Sequence, residues 1–350
     1  MSKPITVLIT ACGGSIGIDV TKCLRMSDMN LKLIGTETSP YGKMFGNRFC
    51  DDVVMTPMAK SDGWHTVINN LCNDRLVDVI IFNHSEEIRQ IEKRRMVFET
   101  KHIMPLFKHM RRCTDKWKTF EALCEGSMCD MLPKTFLVDD MKKIQAGFDS
   151  VGSPVWIRKP QGSGGRGSFL AETSELARAW ITCWASAKKE GGKWIFQEFL
   201  PGKNVSWQAV YYHGVLIGHS IMERLGYYMG SNIPSGVSGT ISHARIIEDN
   251  ELHSKCCRIV DEITEKRCHG IFTIDLRQDS KGEYRLTEID CRLAGRPYLH
   301  AMAGRNLPKA IVQAILGCHV KTIEPTIEGL AIFRQMDTEP IIIYPDGRER

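Results

Sequence analysis

A basic, glycine-rich segment near the middle of the chain has the composition of a phosphate-binding loop. It runs from Arg158 to Ser168 and carries four glycines within six positions. Glycines leave backbone N–H groups uncovered, and a lysine at the end of the preceding strand adds a point charge. A polyphosphate fits both features, so we expect contacts from Lys159, Gly162, Ser163, Gly164 and Gly165. The alternative is a mobile hairpin loop with a solvent-exposed lysine.

Three carboxylates form a second set whose spacing suits a metal ion. Glu288 and Asp290 are two residues apart on one strand and share a face, which Asp275 on a neighbouring strand can approach. Such carboxylates repel unless cations bind, and their hard oxygens suit Mg²⁺ shared with phosphates. We therefore expect Glu288→Gln, without metal, to be as stable as the parent or slightly more stable. Arg292 either neutralises a phosphoryl group there or is the salt-bridge partner of a solvated acidic strand.

Two shorter segments offer further nucleotide contacts. A strand that ends in a Pro-Gly turn can present backbone groups to an adenine edge through Gln197, Glu198, Phe199 and Leu200. Taken alone, this segment indicates only a turn. A glycine turn over residues 11–17 follows the first strand and opens a helix, so its N–H groups either meet a phosphate or serve packing. Glu37, at the end of the second strand, keeps an NAD-dependent reductase open.

The pattern of apolar runs divides the chain into three units. Residues 1–110 alternate short apolar runs with amphipathic stretches, which predicts a parallel, doubly wound α/β domain. Residues 111–193 start with helices and continue as strand, flexible loop, strand and helix. Residues 194–350 carry longer strands and few helices, which indicates an antiparallel sheet. We expect the chemistry in a cleft between the second and third units.

Composition limits the other partners. The chain is 43% hydrophobic and 25% charged, and its net charge of +5 is spread among acidic residues. Because it lacks a basic stripe with interleaved aromatics, no nucleic-acid partner is predicted. No apolar stretch is long enough to span a bilayer and no targeting segment is recognised, so we expect a cytosolic protein without a membrane partner. The thirteen cysteines are expected to be reduced and mostly buried.

Taken in order, these motifs resemble the ATP-grasp superfamily over about residues 5 to 320, most closely the branch similar to the large subunit of carbamoyl-phosphate synthase. The resemblance implies an α/β pre-ATP-grasp domain followed by a two-lobed α+β ATP-grasp fold. It implies two nucleotide-binding lysines, Lys116 and Lys159, a loop over the phosphates at residues 162–167 and an adenine contact at residues 197–200. It also implies magnesium ligands and a phosphate-contacting arginine, which fall on Asp275, Glu288, Asp290 and Arg292.

The chain departs from the family pattern at two places. Lys203 and Asn204 follow the Pro-Gly turn where relatives often carry a ribose-binding Glu, although Asn204 can still hydrogen-bond a hydroxyl. The metal motif reads Asp290-Cys291-Arg292 where relatives usually end in Asn-Pro-Arg, and Asp290 is still a good magnesium ligand. The glutaminase module and second synthetase half of carbamoyl-phosphate synthase are absent, so carbamoyl phosphate is not the expected product.

The activity implied by the resemblance is that of an ATP- and Mg²⁺-dependent ligase. It activates a carboxylate as an acylphosphate for attack by an amine or a thiol, and it releases ADP and phosphate. Because an anionic acceptor needs a cationic fork, we expect catalytic roles for Lys159, Arg292 and Arg296, with Arg224 and residues 226–239 as a lid. A small-molecule kinase, a noncatalytic nucleotide-binding module and the reductase stay open, as does a homodimer. The sequence does not identify the acid or the nucleophile.

Overall fold

Three β-sheets organise the chain. The computed structural model describes residues 3–188, 191–233, 235–318, 320 and 327–335. Within these ranges a parallel sheet comes first along the chain, a small antiparallel sheet second and a long antiparallel sheet third. No helix in the same ranges combines the length and the apolarity needed to cross a bilayer.

The first unit has the parallel α/β arrangement that the sequence predicts. Its strands are β1 (Ile5–Ile9), β2 (Leu31–Glu37), β3 (Asp52–Met55) and β4 (Val79–Ile81), and its helices are α1 (Ser15–Arg25), α2 (Pro40–Asn47), α3 (Trp64–Asp74) and α4 (Ser85–Arg94). All pairs are parallel, in the order β3-β2-β1-β4. The strand order reverses between β1 and β4, and in such sheets the carboxyl ends of the strands leave a crevice at that point.

Two helices, α5 (Phe107–Thr114) and α6 (Lys116–Glu125), lead out of the first unit. The sequence predicts one helix over residues 111–123, and the structure breaks it at Asp115. The Asp115 carboxylate accepts hydrogen bonds from the N–H groups of Trp117 and Lys118, so Asp115 caps α6. This cap makes Lys116 the first residue of the helix.

The middle sheet forms a lobe with its own hydrophobic core. Its strands are β5 (Thr135–Val138), β6 (Val155–Arg158), β7 (Phe169–Ala171) and β8 (Trp194–Glu198), in the order β5-β8-β6-β7, with helices α7 (Ile144–Val151) and α8 (Ser174–Lys188). The core draws only on residues between Phe136 and Phe196. We refer to residues 135–198 as the middle lobe.

Two assignments around the middle lobe differ from the sequence analysis. The boundary expected at residues 193 and 194 gives β8 to the third unit, but β8 pairs with β5 and β6. The boundary expected at residues 110 and 111 falls inside α5, and both α5 and α6 pack into a core that the first and third sheets share. Local pattern did not show this, because strand pairing and helix docking depend on distant partners.

The third sheet is long and antiparallel. Its strands are β9 (Asn204–Tyr212), β10 (Val215–Tyr227), β11 (Ile241–Ile247), β12 (Gly270–Gln278), β13 (Tyr284–Asp290) and β14 (Ala331–Phe333), in the order β13-β12-β9-β10-β11-β14, with helices α9 (Asn250–Thr264), α10 (Pro297–Met302) and α11 (Leu307–Ile315). The sequence pattern predicts β10 only from Val215 to Met222, and it does not predict β11. The predicted end of this unit at residue 350 lies outside the described residues. We refer to the first and third sheets, with α5 and α6, as the body.

One pair of cysteines contradicts the expectation of reduced thiols. Cys124, in α6, and Cys129 form a disulfide with their Cα atoms 4.3 Å apart. The other eleven cysteines are free, and most of them are buried. The prediction therefore holds for the core cysteines and is wrong for this pair, which lies at the end of a helix.

Three histidines lie in surroundings that disfavour the protonated, charged form of the imidazole. Burial lowers the pKa of His300 to about 3, and burial together with His253 lowers the pKa of His219 to about 4. Burial and the nearby Lys108 lower the pKa of His109 to about 4. Neither ring nitrogen of His109 has a hydrogen-bond partner within the described part of the chain. These imidazoles are neutral in the folded protein at pH 7.

We predict that these histidines make the fold less stable as the pH falls from about 7.5 to 5. The unfolded state takes up a proton near pH 6.5 and the folded state does not, so each histidine costs about 2 kcal/mol across that window. Glu87 opposes them, because burial raises its pKa to about 7 and the folded protein gains that proton. Urea unfolding at several pH values measures the sum. His109→Phe should remove about 2 kcal/mol of the loss, and an unchanged pH dependence in this variant would contradict the assignment.

Candidate active site

One open cleft collects the predicted site residues. It lies between the middle lobe and the long sheet, and the start of α1 reaches its rim through Ser15 and Ile16. All of the predicted residues line it: Lys116, Lys159, Gly162, Ser163, Gly164, Gly165, Gln197, Glu198, Phe199, Leu200, Asn204, Asp275, Glu288, Asp290, Arg292 and Arg296. Motifs spread over almost two hundred positions of sequence therefore meet in one place.

The glycine-rich loop lies against the segment that the sequence predicts as a lid. A Cβ added to Gly165 would stand 2.4 Å from the carbonyl oxygen of Val237, and one added to Gly239 would stand 2.4 Å from the Cα of Gly164. Gly165 and Gly239 also have positive φ angles, which L side chains rarely adopt. The two segments approach each other so closely that side chains would not fit, which is one reason for the glycines at these positions. This contact places both segments over the same end of the cleft.

Side chains alternate between the two faces of β6, and this alternation directs the Arg158 side chain, rather than that of Lys159, toward the carboxylates in the cleft. Val155 and Ile157 are buried in the middle lobe, whereas Arg158 faces the cleft. The Arg158 guanidinium donates to Glu288 Oε2 at 2.9 Å. Lys159 borders the cleft, but its ammonium donates to the carbonyl oxygen of Gly191 at 2.9 Å and lies 4.2 Å from the ring centroid of Trp194.

The ammonium of Lys159 thus lies on Gly191, whereas Arg158, which was not among the residues predicted from the sequence, reaches Glu288. The signal was present in the period-two pattern of the strand, because the apolar Val155 and Ile157 fix the buried face. Position at the end of the strand was a weaker guide than the face.

Lys116 and Arg158 hold Glu288 from two sides. Lys116 is buried, and its ammonium lies 3.1 Å from Glu288 Oε1 and donates to the carbonyl oxygen of Gly162 at 3.1 Å. Burial lowers the pKa of Lys116, against the attraction of Glu288. Burial would raise the pKa of Glu288, but Lys116 and Arg158 outweigh it and the pKa is lowered. The two basic groups thus favour the ionised form of Glu288.

The other two carboxylates have cations of their own. Asp275 stands directly opposite Glu288 on the neighbouring strand, and its Oδ1 lies 2.6 Å from Nη2 of Arg224. Oδ2 of Asp290 lies 3.0 Å from Nη2 of Arg292. The repulsion expected among these carboxylates is thus absent. Across the described ranges, no group of three His, Cys, Asp or Glu side chains is arranged to hold a metal ion.

Residues of the first unit anchor the two arginines expected at the acceptor end. Nε of Arg292 donates to the hydroxyl of Ser85 at 2.8 Å. Arg296 is buried, donates to the carbonyl oxygen of Ser15 at 3.2 Å and lies 3.4 Å from Asp19. Burial lowers the pKa of Arg296, although a guanidinium stays charged. Sequence reasoning missed Ser85, Ser15 and Asp19 because only the fold brings them to this end of the cleft.

The strand that leaves the middle lobe shapes the other end of the cleft. The carboxylate of Glu198 accepts from the N–H of Lys134 at 3.2 Å, so β8 ends in a fixed position before Phe199 and Leu200 enter the cleft. Asn204 donates to the hydroxyl of Tyr227 at 2.9 Å. Phe199 and Leu200 give this end of the cleft an apolar lining, which is compatible with an aromatic base.

The N-terminal glycine turn is filled by the protein itself. The N–H of Gly13 donates to Glu37 Oε1 at 2.8 Å, and a Cβ on Gly13 would stand 1.9 Å from the carbonyl oxygen of Gly42 in α2. Glu37 therefore binds the turn instead of presenting its carboxylate to a ribose. This contact removes the residue on which the reductase alternative depended.

Comparisons with known proteins agree with this geometry. No family model matches the chain, and no curated protein matches its sequence. N5-carboxyaminoimidazole synthetase from Staphylococcus aureus, complexed with ADP, superposes with a TM-score of 0.72 at 13% identity, over 96% of this chain and 83% of that chain. Biotin carboxylase from Campylobacter jejuni gives 0.65 at 15% identity, over 89% of this chain and 71% of that chain.

L-amino acid ligase from Bacillus licheniformis gives a TM-score of 0.63 at 13% identity, over 93% of this chain and 78% of that chain. The chain has the ATP-grasp fold. The resemblance seen in the motifs is thus confirmed at the level of the fold.

We predict that Glu288→Gln lowers stability, the reverse of the expectation from sequence. The change leaves Lys116 and Arg158 without their shared anion, which should cost about 1–3 kcal/mol in the free energy of unfolding. Thermal or urea unfolding without metal or nucleotide measures this. Glu283→Gln is the matched control, because Glu283 is exposed and 3.8 Å from Lys255. A Glu288→Gln variant that melts with the parent or above it would contradict the ion-pair network.

Proposed function

We propose that the chain is an ATP- and Mg²⁺-dependent ligase that joins a carboxylate to an amine or a thiol through an acylphosphate, releasing ADP and phosphate. The observation that carries the proposal is the single cleft in which the glycine-rich loop, Lys116, Arg158 and the carboxylate pair of Asp275 and Glu288 meet. The solved synthetase from S. aureus with this fold holds ADP, and a biotin carboxylase domain with this fold holds MgADP and bicarbonate.

In this proposal each of the three sheets belongs to a different part of the enzyme. The first unit corresponds to a pre-ATP-grasp domain, and the middle lobe and the long sheet correspond to the two lobes of an ATP-grasp unit. The middle lobe has its own core, whereas the first unit and the long sheet share one. We therefore place the nucleotide between the middle lobe and the body, with the boundary after β8.

The donor set suits magnesium. Asp275 and Glu288 face each other on adjacent strands, and their hard oxygen atoms leave coordination positions for phosphate oxygens and water. We assign Asp275 and Glu288 as the direct magnesium ligands, and both side chains would turn from their cations to reach the ion, since they are not arranged as a metal site without it. Asp290 lies on the same face and is the third candidate, with its oxygens now on Cys291, Ser85 and Arg292. When bound, Mg²⁺ supplies charge neutralisation to the phosphates. Lys116, Arg158 and Arg224, which hold these carboxylates in the structure, are then available to phosphate oxygens.

The chain's own groups position the nucleotide. Backbone N–H groups of the glycine-rich loop cradle the phosphates, and Lys116 and Arg158 neutralise them from the two sides of the cleft. Residues 197–200 contact the adenine edge, and Asn204 lies where a ribose hydroxyl would be. Lys159 contributes from the margin of the cleft, where its ammonium is 2.9 Å from the carbonyl oxygen of Gly191.

Phosphoryl transfer needs alignment more than covalent catalysis. An oxygen of the substrate carboxylate attacks the γ-phosphorus, and the bond from that phosphorus to ADP breaks. Arg292 and Arg296 orient the carboxylate and neutralise the charge of the transferring group. The nucleophile then adds to the acyl carbon, loses its proton and displaces phosphate. The close contact of the glycine-rich loop with residues 237–239 keeps water from the acylphosphate.

We predict that turnover yields ADP and phosphate in equal amounts and requires both an acid and a nucleophile. A screen of amino acids, sugar acids and small amines for acceptor-dependent phosphate release identifies the pair, and chromatography identifies the spent nucleotide. ADP without free phosphate would identify a small-molecule kinase, the alternative that uses the same site. AMP and pyrophosphate would exclude the acylphosphate route.

We predict that nucleotide affinity depends on Arg158 more than on Lys159. Arg158→Gln removes a charge-assisted contact and should raise the dissociation constant for MgATP about 10- to 100-fold. Lys159→Gln is the matched control and should change it less than about threefold, because the Lys159 ammonium is held at Gly191 and Trp194. Isothermal calorimetry measures both. A larger effect at Lys159 would restore the assignment made from the sequence.

A further inference from the structure

A serine of the first unit reaches the phosphate end of the cleft. Ser85 is the first residue of α4, just beyond the carboxyl end of β4, and its side chain is buried. Its hydroxyl oxygen lies 2.9 Å from Oδ2 of Asp290 and 2.8 Å from Nε of Arg292. Ser85 thus touches both the carboxylate at the end of β13 and the arginine two residues after it, which are 205 and 207 positions away in sequence.

Chemistry fixes the direction of these hydrogen bonds. A guanidinium only donates, so the Ser85 oxygen accepts from Arg292 Nε and its single proton points to Asp290 Oδ2. Arg292 Nη2 lies 3.0 Å from the same carboxylate oxygen, and the N–H of Cys291 donates to Asp290 Oδ1 at 2.9 Å. Ser85, Asp290 and Arg292 therefore form a closed triangle in which each holds the other two.

The triangle leaves Arg292 partly available. Its Nε contacts Ser85, its Nη2 contacts Asp290, and its Nη1 donates to the carbonyl oxygen of Leu293 at 2.8 Å. A guanidinium carries five N–H groups, so one remains on each terminal nitrogen. Two such groups are what a phosphate or a carboxylate binds in bidentate fashion. The contacts of Ser85 and Asp290 fix the plane in which that pair points.

The serine is itself held by the ends of two strands. The Glu87 carboxylate accepts from the N–H of His84 at 3.2 Å and from the hydroxyl of Thr10 at 2.5 Å, and His84 Nδ1 accepts from the N–H of Glu86 at 3.2 Å. Thr10 follows β1, and His84 caps α4 after β4. The backbone of Ser85 is thus tied to the crevice where the strand order reverses, which is a rigid base for a side chain.

We propose that Ser85 is a positioning residue for phosphoryl transfer, which acts through Arg292 and Asp290 and brings the first unit into the chemistry of the cleft. The inference rests on the proposed function. The Ser85 hydroxyl has no proton left for an anionic substrate, because its single proton points to Asp290 Oδ2. It sets the angle of the guanidinium, on which the rate of transfer depends.

The first test compares turnover, affinity and stability. Ser85→Ala should lower kcat about tenfold, the effect of one lost hydrogen bond at the reacting end, with KM for ATP and Tm nearly unchanged. Ser85→Thr keeps the hydroxyl and should retain most of the turnover. Ser27→Ala is the matched control, because the Ser27 hydroxyl only donates to the carbonyl oxygen of Leu24 within the first unit. An equal drop of kcat in Ser85→Ala and Ser85→Thr, together with a lower Tm, would indicate packing and overturn the proposal.

A double-mutant cycle separates action through Arg292 from an independent effect. In an Arg292→Lys background, Ser85→Ala should lower kcat by less than about twofold, because the group that it orients is already gone. The full tenfold loss in that background would overturn the proposal. Wild-type turnover that Ser85→Ala leaves unchanged would overturn this inference alone. Wild-type protein that neither binds MgATP nor releases phosphate would overturn the proposed function and this inference with it.

Discussion

The ion pairs of Glu288 with Lys116 and Arg158 are the interaction on which the cleft depends. Glu288 belongs to the long sheet and Arg158 to the middle lobe, so the contact at 2.9 Å joins two parts with separate cores. Any one of these groups buried alone would cost several kcal/mol, and together they satisfy one another. Lys116 adds a second link by its hydrogen bond to Gly162 in the glycine-rich loop. The shape of the cleft follows from this polar contact.

The same rule of pairing extends along the body and explains why a cleft so rich in charge is stable without a ligand. Asp275 has Arg224, Asp290 has Arg292 and Arg296 has Asp19. Under the proposed function, a nucleotide with its magnesium ion would bring both an anion and a cation. Asp275 and Glu288 would then exchange their cations for the metal, and Lys116, Arg158 and Arg224 would exchange their carboxylates for phosphates. No step of that exchange leaves a buried charge alone, which keeps its cost low.

The residues that line the cleft could be predicted from the sequence better than their partners. Glu288 and Asp290 lie on either side of the buried Ile289, so their shared face followed from a period of two, whereas the shift in register beside Asp275 could not be seen in the sequence. The same period applied to β6 directs Arg158 into the cleft, whereas position at the end of the strand had drawn attention to Lys159. The contact of Ser85 with Arg292 was beyond reach, because 207 positions separate them and only the docking of two units joins them. Strand β8 was assigned to the third unit for the same reason, because the residue pattern of a strand does not show which strands it pairs with.

The separate core of the middle lobe gives the polar contacts across the cleft a further consequence. The hydrophobic cluster of the middle lobe contains no residue of the body. The contacts across the cleft include the pair of Arg158 with Glu288, two hydrogen bonds from Lys116 to the carbonyl oxygens of Pro160 and Gly162, and the approach of the glycine-rich loop to residues 237–239. Charged and backbone groups can turn to water at little cost, whereas an apolar interface cannot. Moving the lobe away from the body would therefore expose these groups to water, which solvates them. Under the proposed function, a nucleotide would enter the cleft without disturbing either core, and the same groups would close on its phosphates.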